Sequence, residues 1–127
     1  MLPGFILPET IIREVGTGPA VDLGDSRGGL ILVTLGITRI IEQESLDVSI
    51  WGSPDGAEWR AKPVIAFPQK FYCGTYQILL DLRPHPDVRH VRVQYRVHRW
   101  GKGEPKPLFG VYVFGQEVQQ QALGMTA

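Results

Sequence analysis

Three histidines, one cysteine and thirteen carboxylates are the groups in this sequence suited to metal binding, nucleophilic attack or proton transfer. His90 and His98 fall on one face of one alternating segment, eight residues apart. In a strand that is about 26 Å, too far to share a metal ion. His85 sits in the turn Arg83-Pro84-His85-Pro86-Asp87, and the expectation for all three is an exposed polar role. Cys73, between Phe71-Tyr72 and Gly74-Thr75, has no disulfide partner and reads as a small buried residue rather than a nucleophile. Gly52-Ser53-Pro54-Asp55-Gly56 lacks the Gly-x-Ser-x-Gly spacing and following helix of a nucleophile elbow. Phosphate-loop and dinucleotide fingerprints are absent. Asp22 and Asp25, in a Gly-rich loop, are weak metal candidates, since calcium wants about six to eight oxygen ligands. No catalytic set emerges, and the chain reads as a non-enzyme with no cofactor.

Binding chemistry is better represented. Arg92, Arg96 and His98 form a basic stripe on one strand face, with Arg99 and Trp100 beside it. Such a stripe suits phosphate, an acidic sugar or the carboxylates of a protein partner. Trp51 falls on the polar side of its strand, and Trp100 borders a Gly/Pro-rich loop. Each is either covered by its surroundings or free to stack on a sugar ring or anchor an interface.

The elements that must carry these residues are strands. In Val91-Arg92-Val93-Gln94-Tyr95-Arg96-Val97-His98 the apolar residues point one way and the polar ones the other. Leu46, Val48 and Ile50 form a second inward row, Tyr76, Ile78, Leu80 and Leu82 a third, and Ile31, Val33, Leu35 and Ile37 a fourth. The run Val111-Tyr112-Val113-Phe114 is apolar on both faces, which fits a central strand or one with a partner on its outer side. Strands are predicted at 6–14, 20–23, 29–41, 45–52, 58–67, 74–83, 88–100 and 108–118. No segment combines a helical period with caps. The prediction is all-β: an antiparallel β-sandwich, a jelly roll of about eight strands. It forms one domain over 1–118, with a flexible tail over 119–127.

Between two of these strands lies Ser53-Pro54-Asp55-Gly56-Ala57-Glu58-Trp59. Pro54 presets a turn, Gly56 permits positive φ, and the Ser53 and Asp55 side chains can accept hydrogen bonds from turn amides. Trp59 is expected to open the return strand. Ser-x-Asp-Gly-x-x-Trp after an alternating strand resembles the discoidin and wider galactose-binding-like jelly rolls. Val91-Arg92-Val93 and Phe114-Gly115 stand where that family carries its later strand features. The same turn, with Leu30–Leu35 and Leu46-Asp47-Val48-Ser49-Ile50, also resembles small jelly-roll proteins of tailed-phage virions. The resemblance covers roughly residues 29–118 and implies the fold. No ligand-binding residue is carried over, because a turn motif carries fold information only.

Composition sets the remaining bounds. The 127 residues include 15 Gly and 10 Pro, a density of turns that excludes a bundle of long helices. Lys+Arg and Asp+Glu number 13 each, which argues against a globally basic nucleic-acid binder. Residues 1–58 hold three basic and nine acidic residues, and residues 59–127 hold ten and four, a split of −6 and +6. Either strands from the two halves are neighbours and neutralise each other, or the surface has two oppositely charged sides suited to self-assembly. The apolar start is broken by Pro3 and Pro8 and is too short for a signal peptide, and no run approaches a membrane span. The expected setting is cytoplasmic or particle-associated. The expected function is a non-catalytic assembly module: a self-associating subunit or decoration-type protein of a particle, fibre or oligomer. The alternative is a glycan-binding module with aromatic residues flanking a cleft at the loop end.

Overall fold

The structure, a computed structural model, describes residues 2–103 and 106–118; the tail expected over 119–127 lies outside them. Nine strands follow in order: β1 (Gly4–Ile12), β2 (Gly16–Thr17), β3 (Val21–Asp22), β4 (Leu30–Ile40), β5 (Glu44–Ser53), β6 (Ile65–Ala66), β7 (Gly74–Asp81), β8 (His90–Arg99) and β9 (Phe109–Val118). One short 3₁₀ turn, Gly24–Ser26, lies between β3 and β4. The first sheet has the order β1-β9-β4-β7, and the second has the order β2-β8-β5-β6 with β3 also on β8. Every pairing is antiparallel. Consecutive strands thus alternate between the two sheets over much of the chain, which is the jelly-roll winding.

The ninth strand is β2, in a stretch expected to connect strands; with β3, the strand expected at 20–23, it forms one interrupted edge along β8. β2 pairs with Tyr95 and Gln94 of β8, and β3 with Val91 and His90. Between them the Gly18 N–H donates to Val93 O at 2.7 Å, and Pro19 has no N–H to give. A larger correction concerns 58–67, predicted as a full strand and reduced to Ile65–Ala66. This segment still follows β5 through isolated bonds, Arg60 N–H to Gly52 O, Val64 N–H to Ile50 O and Phe67 N–H to Val48 O. Pro63 and Pro68 bracket its regular part and cannot donate to a ladder.

The core lies between the sheets and is built from the predicted rows. Ile31, Val33, Leu35 and Ile37 of β4 face Leu46, Val48 and Ile50 of β5 and Val91 and Val93 of β8, all buried. Leu80, Leu82, Phe109, Val111 and Val113 complete this layer. Continuing the β5 row back by two residues reaches Glu44, which is 1% exposed. Its Oε2 accepts the Ile41 N–H at 3.0 Å and its Oε1 the Leu108 N–H at 2.8 Å. This carboxylate therefore ties the β4–β5 turn to the segment entering β9, and its buried oxygens are satisfied.

The charge split resolves within the molecule. Each ladder joins a strand from the acidic half (β1 to β5) to one from the basic half (β6 to β9). The two halves interleave strand by strand, so the −6/+6 division does not mark two sides of the protein.

Candidate functional site

The turn at 53–59 is built locally. Ser53 is fully buried; its Oγ accepts the Gly56 N–H at 2.8 Å and the Asp55 N–H at 3.2 Å. Asp55 Oδ1 accepts from the N–H groups of Ala57 and Glu58, both at 2.9 Å, and from the Ser53 hydroxyl at 3.0 Å. Those donors, the Glu58 amide foremost, hold the Asp55 carboxyl below its ordinary pKa. Gly56 has φ +79, in the left-handed region, and packs against the His90 ring. Trp59 does not begin a strand. Its ring instead carries the Arg92 guanidinium, 4.2 Å from the ring centre. Arg60 donates to His85 Nδ1 at 2.8 Å and pairs with Asp87 at 2.6 Å, joining this loop to the β7–β8 turn. Ser53 Oγ and Asp55 Oδ1 are thus engaged within the turn itself.

The expected metal candidates remain apart from any third ligand. Asp22 Oδ1 accepts the Gly24 N–H at 2.9 Å, which lowers the Asp22 pKa, and its Oδ2 lies 4.0 Å from His90 Nε2. Asp25 is exposed on the 3₁₀ turn. Among the described residues no group of three His, Cys, Asp or Glu side chains could hold a metal ion. The histidines differ from expectation, because only His98 is exposed. His85 is engaged by Arg60, and His90 is partly buried with Nδ1 unpartnered. Cys73 also departs from expectation: it is exposed, because the aromatic pair before it turns outward instead of covering it.

The basic stripe divides into separate tasks. Arg92 is held by Trp59, and Arg99 donates to the carbonyls of Gly101 and Lys102, bracing the loop before β9. Arg96 and His98 remain on the outer face of the second sheet. With Asp47, Ser49, Trp51 and Gln94 they line an open groove of about 940 Å³. Trp51 is half-buried there, its Nε1–H donating to Ser49 Oγ at 2.9 Å. Trp100 is 53% exposed; its ring lies 6.0 Å from that of His98, and its other surroundings form a second cleft, of about 400 Å³, at one end of the sandwich. Phe71, Tyr72, Ile40, Glu42 and Gln43 share it, and Phe71 meets Trp100 edge-to-face at 6.3 Å. Phe71 and Tyr72 enter the sequence reading only as neighbours of Cys73; Gln69 and Lys70 just before them are the polar flank that could have marked them as exposed.

The outer face of the first sheet is the most distinctive surface. The register places Leu79, Leu32 and Gln116 in one row, and Gln77, Thr34, Phe114 and Phe5 in the next. Thr75, Gly36 and Tyr112 form a third. No charged residue stands in these three rows. Phe5, 52% exposed, packs edge-to-face on Phe114 at 5.2 Å and on Tyr112 at 5.9 Å. Tyr112 lies flat across Gly36, where a Cβ would fall 2.1 Å from its ring. Ile11 and Leu79 are also exposed. The outward position of Leu79, Tyr112 and Phe114 follows from strand alternation; the contribution of Phe5 follows only from its pairing with Phe114.

No protein-family model, curated protein or solved structure matches the chain.

Proposed function

We propose that this jelly roll is a non-catalytic assembly module, a self-associating subunit or decoration-type protein of a particle, fibre or oligomer. One observation carries the reading: the two outer faces are unequal. The second sheet presents Asp47, Arg92, Gln94, Arg96 and His98 to solvent or to its loops, as a solvated antiparallel sheet does. The first presents three uncharged rows with exposed aromatic and aliphatic side chains, a composition typical of an interface core. The interleaved charges lend this reading no support, so the apolar face bears it alone. Light scattering over a range of concentration and salt tests it. Oligomers that persist in salt and are lost in Phe5→Lys support the proposal, and a strict monomer at high concentration overturns it.

A second reading, a glycan-binding module, is favoured by the end cleft, where Trp100 and Tyr72 offer exposed ring faces beside Glu42 and Gln43. A glycan array with hits that vanish in Trp100→Ala supports it; an array without hits removes it.

A further inference from the structure

Three aromatic rings gather at the end cleft without being covered there. Phe71 is 41% exposed, Tyr72 72% and Trp100 53%. A single exposed ring is ordinary, but several lining one concavity point to a ligand. The rings stand as walls rather than as a stack. Phe71 makes 72° with Trp100 at 6.3 Å and 54° with Tyr72 at 6.4 Å. Two ring faces at a right angle, with centres about 6.4 Å apart, can share a point about 4.5 Å from each centre, inside the roughly 6 Å over which a ring attracts a cation.

The backbones behind these walls are fixed. Lys70, next to Phe71, exchanges both backbone hydrogen bonds with Leu46 of β5, at 2.8 and 2.9 Å. The Tyr76 hydroxyl donates to Tyr72 O at 3.2 Å. The Trp100 N–H donates to Gln43 O at 3.0 Å, and Gln43 itself stands at φ +63, a left-handed conformation that residues other than glycine rarely adopt. A site ordered before its ligand arrives loses little freedom on binding.

Charge selects the occupant. Among the described residues that line the cleft, the charged side chains are Glu42, exposed, and Glu44, buried. The cations nearby are engaged elsewhere. The Lys70 ammonium lies 4.0 Å from the centre of the Tyr76 ring, and the Arg99 guanidinium donates to the Gly101 and Lys102 carbonyls. Aromatic faces beside carboxylates attract a cation and repel an anion. A volume of about 400 Å³ suits a small molecule.

We propose that this cleft binds a small quaternary ammonium molecule of the choline class, with its methylated cation among the Trp100, Phe71 and Tyr72 rings and beside Glu42. A quaternary cation fits better than a primary ammonium, because its methyl groups pack on the rings and no N–H donor is left unmatched. Free choline fits better than a phosphocholine headgroup, whose phosphate meets the same carboxylates. The cleft is separate from the apolar sheet face, so this inference stands apart from the assembly reading.

Titration of the labelled protein with choline chloride at constant ionic strength, followed by amide and indole resonances, tests it. Choline should give saturable shifts centred on Gln43, Phe71, Tyr72 and Trp100. The uncharged analogue with carbon in place of the choline nitrogen keeps the shape and should bind roughly tenfold or more weakly, as should phosphocholine. This comparison uses the wild-type chain and does not depend on a variant folding. Trp100→Ala should weaken choline binding roughly tenfold or more, Glu42→Gln should weaken it about threefold, and Trp51→Ala, in the other groove, should leave it unchanged. Equal binding of choline and its uncharged analogue, equal binding of phosphocholine, shifts centred on Trp51, or no saturable shift up to about 50 mM would overturn the proposal. A neutral oligosaccharide that shifts Trp100 where choline does not would overturn it in favour of the glycan reading.

Discussion

Glu44 gives the sharpest test of the fold's internal logic. It is a carboxylate with 1% exposure whose two oxygens each accept one backbone N–H, from Ile41 at 3.0 Å and Leu108 at 2.8 Å. A hydrogen bond to a charged acceptor contributes about 1.5–3 kcal/mol, and a buried donor left unmade costs a comparable amount. Glu44→Gln keeps one acceptor oxygen and turns an NH₂ group toward the other amide, so one bond is lost; the expected cost is about 2 kcal/mol. Glu44→Ala loses both bonds and leaves a void, for about 4 kcal/mol. Against a total stability of about 5–15 kcal/mol these are large effects. Urea unfolding reads them as a fall in the midpoint at constant slope. The exposed neighbour Glu42, changed to Gln, should shift stability by less than about 0.5 kcal/mol. If Glu44→Ala matched Glu42→Gln, the buried carboxylate would not be tying the β4–β5 turn to β9, and the reasoning would be wrong.

Three further outcomes follow from the structure. Gly36→Ala drives a Cβ into the Tyr112 ring, so the ring should leave the sheet face and its contact with Phe5, at a cost of about 1–3 kcal/mol, read by urea unfolding and near-ultraviolet circular dichroism. The Asp81 carboxyl is held at about 2, below its ordinary 3.8, chiefly by the Arg83 side chain. A lowered folded pKa stabilises above the unfolded value, so Asp81→Asn should melt below wild type at neutral pH, and the gap should close as pH falls from about 4 to about 2. Cys73 should react with a thiol reagent in the native protein at the rate of a free exposed thiol; slow reaction until denaturant is added would contradict its exposed position.

Most of the fold was legible because strand alternation is a local signal. The rows at Ile31–Ile37, Leu46–Ile50 and Val91–Val93 are buried as their period requires. What escaped depended on partners distant in sequence. The turn before Trp59 predicts that it opens a strand, but Pro63 and Pro68 withhold donors and Arg92, from β8, offers its ring a cation instead. Cys73 looked buried between aromatic neighbours, yet Phe71 packs on Trp100 at the end of the sandwich and leaves the thiol outside. Glu44 could have been found, since it stands two residues before Leu46 on the same inward row. The basic stripe was correct as a pattern of alternation. Its division among Trp59, the loop carbonyls and solvent was set by loops whose paths alternation does not encode.

The proposed assembly would cover the outer face of the β1-β9-β4-β7 sheet with another copy of the chain. Amide resonances of the isotopically labelled protein, followed on dilution from about millimolar to about micromolar concentration, test it most directly. Self-association through this face should concentrate the shifts in β1, β4, β7 and β9, around Phe5, Leu32, Leu79 and Phe114, with β8 unchanged. Resonances that hold still throughout, or move only in the β2-β8-β5-β6 sheet, would contradict it.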